Sequence, residues 1–209
     1  MATITRKTES PIAWGEIKEA VKTGKAAEIL HVGDEIAETL TTGEQVVFVV
    51  AGIGVYAENQ VIFSLKNCLA EEYHMNEDWT NKGGWPACDM RRHLTEDIFP
   101  VLPDDLKAVI TPRKLTTDDG EAEDSLWLFS EYEVFGEDWC DKDPGDKPIP
   151  YYQTPANRVK CDADGDTTWW WERSPLTGYS TAFCNVTSTG GANDGVASGS
   201  SGVCFGFCI

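Results

Sequence analysis

The sequence predicts an α+β fold of mostly antiparallel short strands with two or three helices. Short apolar or alternating runs bounded by Gly, Ser, Asp and Pro are frequent, whereas apolar residues at helical spacing are confined to a few segments. Strands do not alternate with helices around a Gly-rich phosphate-binding loop. The 209 residues are expected to form a single domain, 1–209, which is long enough for a well-buried core.

The N-terminal part of the chain is predicted to hold a helix followed by a hairpin. The helix begins at Ser10 and Pro11, which suit the N-cap and the first helical position, and it ends at Gly24. Two strands follow at Glu35–Leu40 and Gln45–Val55, and the Thr-Thr-Gly-Glu sequence between them favours a tight turn. The second strand includes the most apolar run of the chain and is therefore expected to be buried.

The middle of the chain is predicted to hold the remaining helices, one strand and two loops. These predictions depend on apolar spacing and on the positions of Pro, Gly and Asp. In order they are a helix at Asp89–Ile98 ended by Pro100, a helical turn at Asp104–Ile110, an acidic loop at Thr116–Asp124, a strand at Ser125–Gly136, a loop at Asp138–Pro155 and a strand, tight turn and strand within Asn157–Pro175.

The charge balance limits the partners that the protein can bind. With 17 Lys and Arg against 35 Asp and Glu, the formal net charge is -18, whereas phosphate binding needs clustered positive side chains. Nucleic acid and anionic membranes are therefore not expected as partners. Met1–Thr8 lacks the apolar core of a signal peptide, and no run is long enough to span a bilayer. The chain is expected to be made in the cytoplasm, without membrane insertion.

Seven cysteines are scattered along the chain without a Cys-x-x-Cys pair. We expect them to be free thiols, most of them buried as small apolar side chains, because free cysteine is often buried and disulfides are rare in reducing compartments. No zinc site and no cofactor is predicted. The cysteines are Cys68, Cys88, Cys140, Cys161, Cys184, Cys204 and Cys208.

Several segments resemble an uncharacterised domain family of bacterial and prophage proteins, with similarity over roughly residues 10–209. They are GWPACDMRRHL, LPDDLKAVI, LWLFSEYEVFG, WWWERSP and GVCFGF. In that family a Trp-Trp-x-Arg-Ser-Pro block precedes a Gly/Ser-rich segment and a final Gly-Val-x-x-x-Phe strand. The resemblance implies a C-type-lectin-like fold, as in the formylglycine-generating enzyme group and the variable proteins of diversity-generating retroelements. The chain departs from the family pattern at Glu172, where an apolar residue is usual, and at Cys204, where Arg is frequent.

The tail of the chain changes composition abruptly at Ser174. From there to Ile209 it has one carboxylate, Asp194, and from Leu176 onward it lacks Lys, Gln, Glu, Met and Trp. In retroelement variable proteins the adenines of AAC-like codons are mutated, and those five residue types cannot arise from AAC when its first two bases change. The tail therefore resembles a diversified window. The alternative is an ordinary turn-rich terminal region, because turns favour Gly, Asn, Asp and Ser.

The resemblance implies that residues 176–201 form a variable ligand-binding surface on a fixed scaffold. We assign Trp169–Trp171, Arg173 and Pro175 to the scaffold, and we expect Arg173 to pair with a buried acid. Short polar and aromatic side chains on such a base suit an adaptable binding surface, as in antibody loops. The candidate ligand-binding residues are Leu176, Thr177, Tyr179, Thr181, Phe183, Asn185, Thr187, Thr189, Asn193, Asp194, Val196, Ser198, Ser200 and Ser201.

A strand is predicted at the sequence FCNVTS, residues 183–188. Alternation would place Cys184 and Val186 on one face and Phe183, Asn185 and Thr187 on the other. We expect the second face to point outward.

Two further groups of residues are of the types that bind metal ions. Asp162, Asp164 and Asp166 could bind Ca²⁺, but a solvated hairpin turn is favoured, since the spacing does not match an EF-hand loop. Cys204 and Cys208 are similar to the cysteine pair that formylglycine-generating enzymes use with copper, but an apolar terminal strand does not supply the accessible setting that thiolates need. No catalytic residues are predicted.

Three functions remain open from the sequence. The first is a ligand- or receptor-binding display protein with a hypervariable C-terminal surface, encoded by a phage or prophage. Its expected partner is a protein or glycan receptor on a cell surface. The second is an invariant carbohydrate-binding or structural module of the same fold. The third is an oxidase of the formylglycine-generating type, and it is the least favoured.

Overall fold

The computed structural model describes residues 12–137 and 143–209. Its helices are short, and α1 is the longest of them, with Trp14, Ile17 and Ala20 on its buried face. A π-helical turn, Leu94–Ile98, joins α4 to α5. In chain order the helices are α1 (Trp14–Lys22), α2 (Ala26–Ile29), α3 (Gly84–Ala87), α4 (Asp89–His93), α5 (Phe99–Val101), α6 (Asp104–Lys107) and α7 (Glu131–Phe135), with 3₁₀ turns at Pro150–Gln153 and Pro155–Arg158.

The strands are also short, and every pairing between two named strands of the described residues is antiparallel. An isolated parallel bridge joins Trp170 to Gly202. They are β1 (Glu35–Thr39), β2 (Gln45–Ile53), β3 (Val61–Leu65), β4 (Tyr73–His74), β5 (Arg113–Thr117), β6 (Gly120–Asp124), β7 (Trp127–Leu128), β8 (Lys160–Cys161), β9 (Thr167–Thr168), β10 (Trp170–Pro175), β11 (Ala182–Val186), β12 (Ala192–Val196), β13 (Ser200–Ser201) and β14 (Phe205–Cys208). The prediction of a mixed α and β domain with mostly antiparallel short strands and few helices is confirmed.

The main sheet has the strand order β1-β2-β3-β14-β7 and carries most of the core. Strand β3 is buried along its whole length, and β2 is buried over most of its length. Helix α1 packs on this sheet through Trp14, whose ring centroid lies 5.4 Å from that of Phe63 and 5.9 Å from that of Phe207. Aromatic rings from the two ends of the chain therefore meet in one core.

The last strand, β14, lies inside the main sheet between β3 and β7. All nine residues from Ser201 to Ile209 are buried. Gly206 sits where any Cβ would collide with the Phe129 ring, so this position requires glycine. The end of the chain is consequently part of the core.

A second sheet, in the order β10-β11-β12, carries the Trp-Trp-x-Arg-Ser-Pro block and the first half of the tail. Its register shifts between Trp171 and Pro175, so the residues between them are not paired with β11. Smaller two-stranded sheets are formed by β4 with β13, β5 with β6, and β8 with β9. The pairing of β4 with β13 ties the tail to the middle of the chain.

Most predicted elements are confirmed. Helix α1, the β1–β2 hairpin and the β8–β9 hairpin occupy the predicted segments, although Ser10 and Pro11 lie outside the described residues. The predicted end of the second helix at Pro100 is wrong, because helical turns run from Asp89 past Pro100 to Val101. Pro100 falls in the first turn of α5, where its missing N–H is not needed.

Two predicted elements are wrong. The acidic loop at Thr116–Asp124 falls within the β5–β6 hairpin, and only two residues of the predicted strand Ser125–Gly136 are extended. The remainder of that segment forms helix α7 and the turns beside it. Of the predicted loop Asp138–Pro155, the first five residues lie outside the described part of the chain.

The cysteines are mostly buried, as predicted, but they are not all free. Cys184 is disulfide-bonded, which contradicts the expectation of seven free thiols. Cys140 lies outside the described residues. The remaining five are Cys68, Cys88, Cys161, Cys204 and Cys208, which are free.

Within the described ranges, no helix is long and apolar enough to cross a membrane.

Candidate functional site

A groove of about 500 Å³ lies beside the first loop of the tail. Residues 175–180 form one part of its lining, and the turn 81–83 forms another. Asp118 and Asp119, from the tip of the β5–β6 hairpin, and Asp143 complete it. The groove is thus built where four segments distant in sequence meet, which is a common setting for a binding site.

Asn81 holds two of these segments together. Its backbone N–H donates a hydrogen bond to the carbonyl of Ser180 at 2.9 Å. Its side-chain Nδ2 donates to the carbonyls of Tyr179 at 2.6 Å and Ala182 at 2.8 Å. Three hydrogen bonds from one residue therefore fix the 81–83 turn against the loop that carries Tyr179.

The accessible charges of the groove are mainly negative. Asp118 and Asp119 are exposed, and neither belongs to an ion pair between described residues. Lys82, also exposed, is the only basic residue in the lining among the described residues. The groove therefore offers two carboxylates and one ammonium group to a ligand.

Asp143 connects the groove to a buried ion cluster around Arg173. The Arg173 guanidinium contacts Asp143 at 3.2 Å through Nε and Asp146 at 2.5 Å through Nη2, and its Nη1 donates to Glu133. Nη1 also donates to the carbonyl of Leu128 at 3.1 Å. Burial lowers the pKa of Arg173, but these carboxylates raise it by more, so the net shift of the pKa is upward. The prediction that Arg173 pairs with a buried acid is confirmed.

A second arginine, Arg113, completes the cluster. It lies 2.7 Å from Glu133 Oε1, and its guanidinium stacks 3.7 Å from the centre of the Tyr56 ring. The Tyr56 hydroxyl donates to the same carboxylate at 2.5 Å. Burial raises the pKa of Glu133, but Arg113 and Arg173 outweigh it and bring the pKa to about 2. Glu133 is therefore ionised at neutral pH, whereas burial raises the pKa of Asp146 to about 7. The ion pairs of Glu133 with the two arginines form a rigid support behind the groove.

Most of the candidate ligand-binding residues reach the surface. Six are exposed, and four more are half-buried. The exposed ones are Thr177, Tyr179, Thr189, Val196, Ser198 and Ser200. The half-buried ones are Thr181, Thr187, Asn193 and Asp194. Of these ten, Thr177 and Tyr179 line the groove.

The other four candidates are buried, and the predicted outward face of the strand 183–188 is wrong. Leu176 and Ser201 are buried, while Phe183 and Asn185 expose 0% and 3% of their surfaces. The reason is that β11 is the central strand of its sheet and is covered on both faces. Phe183 joins the main core, whereas Ala182 and Cys184, on the other face, pack with Leu176.

Several residues of the site were not predicted from the sequence. Asn81, Asp118 and Asp119 lie far from the tail in sequence, and only the fold brings them to it. Trp79, in the turn before Asn81, exposes 67% of its surface. A tryptophan inside the polar run Asn-Glu-Asp-Trp-Thr-Asn was a signal that could have indicated a surface role.

The residues considered for metal binding do not gather into a ligand set. Asp162 Oδ1 accepts hydrogen bonds from the backbone N–H groups of Asp164 and Asp166, both at 3.0 Å, in the β8–β9 turn. Cys204 and Cys208 are buried, and burial raises the pKa of Cys208 to about 11. Among the described residues, no group of three or more His, Cys, Asp or Glu side chains could hold a metal ion.

Comparison with known proteins identifies one family. The model of DUF6273, a domain of unknown function, matches residues 58–209, which is more than half of the chain and includes all of the groove and the tail. No curated protein and no solved structure matches the chain.

Proposed function

The chain belongs to the DUF6273 family, and we propose that this member is a ligand- or receptor-binding display protein with a hypervariable C-terminal surface. In this proposal the fold is C-type-lectin-like, a retroelement diversifies the tail, and a phage or prophage encodes the protein. Its partner is a protein or glycan receptor on a cell surface. The proposed binding face consists of the groove and the exposed tail positions around it.

The observation that carries the proposal is a set of accessible tail positions that is almost without charge. Ten of the fourteen candidate positions are exposed or half-buried, and of these only Asp194 is charged. Lys and Glu are the usual residues of a protein surface, and the rest of this chain is rich in them. Burial accounts for the uncharged residues from Ser201 onward, but it does not account for the accessible ones. Mutation of AAC-like codons would leave this pattern.

The support behind the surface suits a binding role. Trp170, Trp171 and Arg173 are buried in β10, the strand that leads into the loop 176–181. Three carboxylates of the ion cluster pair with Arg173 and hold it in place. A rigid base beneath changeable side chains is what an adaptable binding surface requires. The disulfide of Cys184 favours display outside reducing compartments, since disulfides persist in oxidising environments such as virion or cell surfaces.

The test is a library of full-length chains randomised at the ten accessible positions and scored for folding and for binding to whole bacterial cells. Substitutions at such positions usually change stability by about 0.5 kcal/mol or less each, so most members are expected to fold. Binding is expected to vary widely between members. Tyr179 is the expected anchor, because aromatic residues dominate binding hot spots.

A matched control library randomises Phe183 and Asn185, which lie in the same tail but are buried. Most of its members are expected to unfold, because truncating a buried aromatic side chain costs about 3–5 kcal/mol. Unfolding throughout the first library would make the tail a packed structural element and would refute the proposal. A well-folded library whose members all bind identically would refute it as well.

A second candidate is an invariant carbohydrate-binding or structural module. The burial of Leu176, Phe183, Asn185 and Ser201 favours it, because mutation throughout 176–201 would also strike these core positions. The flanking genomic sequence separates the two candidates. A reverse transcriptase gene and a near-repeat of the tail coding sequence that differs at adenines are expected for the display protein and not for the invariant module.

A further inference from the structure

We propose that the groove and its two neighbouring exposed aromatic side chains bind an arginine-bearing peptide segment of a partner protein. This inference rests on the proposed function, since it assigns a partner chemistry to the same face. It adds residues that lie outside the tail, namely Trp79, Asp118 and Asp119. In this arrangement an arginine side chain stacks on an aromatic ring while its guanidinium pairs with a carboxylate.

The two aromatic side chains are the first observation. Trp79 and Tyr179 expose 67% and 66% of their surfaces, the largest fractions of any large hydrophobic side chain among the described residues. They are 100 positions apart in sequence, yet they lie on adjoining segments. Tyr179 lines the groove, and Trp79 lies two residues before Asn81, which binds the Tyr179 carbonyl. Large exposed aromatic side chains on adjoining segments are typical of binding surfaces.

The rigidity of their backbones is the second observation. Asn81 binds the tail loop at Tyr179, Ser180 and Ala182 through three hydrogen bonds. On the other side of Trp79, the side chain of Asn76 donates to the carbonyl of Thr80 at 2.6 Å. Both aromatic residues are therefore carried on fixed backbone, so little conformational freedom remains to be lost when a ligand binds.

The charge of the groove selects the partner. Asp118 and Asp119 have no ion-pair partner among described residues, while Asp143 is already paired with Arg173. Lys82, the one basic side chain that the described part of the chain supplies to the lining, does not balance them, and the net charge of the chain is -18. Charge complementarity therefore favours a cationic segment, whose approach the field of the whole protein accelerates.

Arginine fits this surface better than lysine does. Its planar guanidinium stacks on aromatic faces and can bind a carboxylate through two parallel hydrogen bonds, whereas the lysine ammonium is a strongly hydrated point charge. A neutral glycan would use the aromatic rings but would leave the two carboxylates without a charged partner.

The experiment measures peptide binding to the full chain by titration calorimetry at 0.15 M salt. Synthetic 12-residue peptides alternate glycine with arginine, with lysine or with glutamate. We expect the arginine peptide to bind about tenfold more tightly than the lysine peptide of equal charge, and the glutamate peptide not to bind. Trp79→Ala, Tyr179→Ala and the double variant Asp118→Asn/Asp119→Asn are each expected to weaken arginine-peptide binding about tenfold.

The matched control is the double variant Asp104→Asn/Asp105→Asn, which removes two exposed carboxylates at the start of α6. It is expected to retain binding. An equal loss in this control, or equal binding of the arginine and lysine peptides, would show only general attraction to an acidic protein and would overturn the inference. Binding of neutral oligosaccharides that depends on Trp79 and Tyr179, without peptide binding, would also overturn it.

The outcome is separable from that of the library. Selectable tail binders without arginine-peptide binding would reject the partner chemistry and leave the display function standing. Peptide binding at the groove in a chain whose exposed tail positions do not tolerate substitution would reject the display function alone.

Discussion

Two neighbouring side chains on β10 show opposite ways of burying an ionisable group. Arg173 is surrounded by carboxylates, whereas the oxygens of Glu172 are buried without a hydrogen-bond partner among described residues. Burial, and then the nearby Glu131, raise the pKa of Glu172 well above its ordinary value, although Arg173 and Arg158 oppose the shift. Glu133 adds to the upward shift. Burial therefore favours the protonated form of Glu172 in the folded protein, and a buried carboxyl without a hydrogen-bond partner destabilises the fold.

Replacing Glu172 by leucine is expected to raise the free energy of unfolding at pH 7 by about 1–3 kcal/mol, because it removes a buried polar group without a partner. The native protein should also lose stability as the pH rises above 4.5. Between 4.5 and the raised folded pKa, the folded state keeps a proton that the unfolded chain has lost. Urea unfolding of the native, Glu172→Leu and Glu172→Gln proteins from pH 4 to pH 8 measures both effects.

In that series, Glu172→Gln should remove this contribution to the pH dependence, since the amide does not titrate. Arg173→Leu is the contrasting variant. It leaves three buried carboxylates without their shared cation and is expected to destabilise the protein by about 3–5 kcal/mol. A Glu172→Leu protein that is less stable than the native one at pH 7 would show that the buried carboxyl is satisfied.

At the scale of the element, local signals explain which segments could be predicted. Helix α7 lies where the sequence predicts a strand, because the apolar residues from Leu126 to Val134 alternate. The capping signals were nevertheless in the sequence. Ser130 and Glu133 form a capping box, and Gly136 ends the helix with a φ of 73°. Here the capping signals outweighed the strand-like alternation.

The β5–β6 hairpin was missed for a different reason. Its acidic composition indicated a solvated loop, but the alternate residues Arg113, Leu115 and Thr117 are buried and only the residues between them are exposed. A strand with one solvated face can be highly charged. The groove could not be predicted from the sequence for the same reason, because the tip of this hairpin supplies two of its acids.

Within the tail, the sequence could separate scaffold from surface only in part. Burial of Trp170, Trp171 and Arg173 agrees with their assignment to the scaffold, but the assignment is wrong for Trp169, which exposes 41% of its surface. Alternation alone could not show that both faces of β11 are covered. A strand with one open face would have exposed the side chains of Phe183 and Asn185. Which face is covered depends on residues far along the chain, such as Tyr73, whose carbonyl accepts a hydrogen bond from Trp171 Nε1 at 2.8 Å.

Two glycines of the tail give a prediction about this sheet. A Cβ at Gly195, on β12, would lie 2.7 Å from the Trp171 ring and 2.9 Å from Asn185 Nδ2. Gly195→Ala is therefore expected to lower the free energy of unfolding by about 1–3 kcal/mol through overpacking. Gly191→Ala is the matched control, because its nearest contact would be at an ordinary 3.4 Å and it is exposed. Thermal unfolding of both variants measures the difference, and equal melting temperatures would mean that β12 is not packed against Trp171.

At the scale of the whole molecule, the position of the tail accounts for part of its unusual composition. The segment from Ser201 to Ile209 is buried, and β14 lies between β3 and β7, so apolar and small residues are required there. Only the accessible stretch before it needs another explanation. All but one of the 35 Asp and Glu residues thus precede the tail, while the C-terminal strand closes the core.

The disulfide links this buried tail to the redox state of the whole protein. Cys184 lies on the central strand β11 and is fully buried, so its bond stabilises the sheet that supports the proposed binding face. Reduction is expected to lower the free energy of unfolding by about 2–4 kcal/mol and the melting temperature with it. In denaturant without reductant, five thiols should titrate, since one intramolecular disulfide removes two of the seven.

Cys184→Ser should reproduce the loss of stability and make the melting temperature insensitive to reductant. Cys161→Ser, at a free and half-buried cysteine, is the matched control and should keep both the native melting temperature and its sensitivity to reductant. A titration of seven thiols would show that Cys184 is reduced in solution, and it would remove the disulfide as support for display in an oxidising environment.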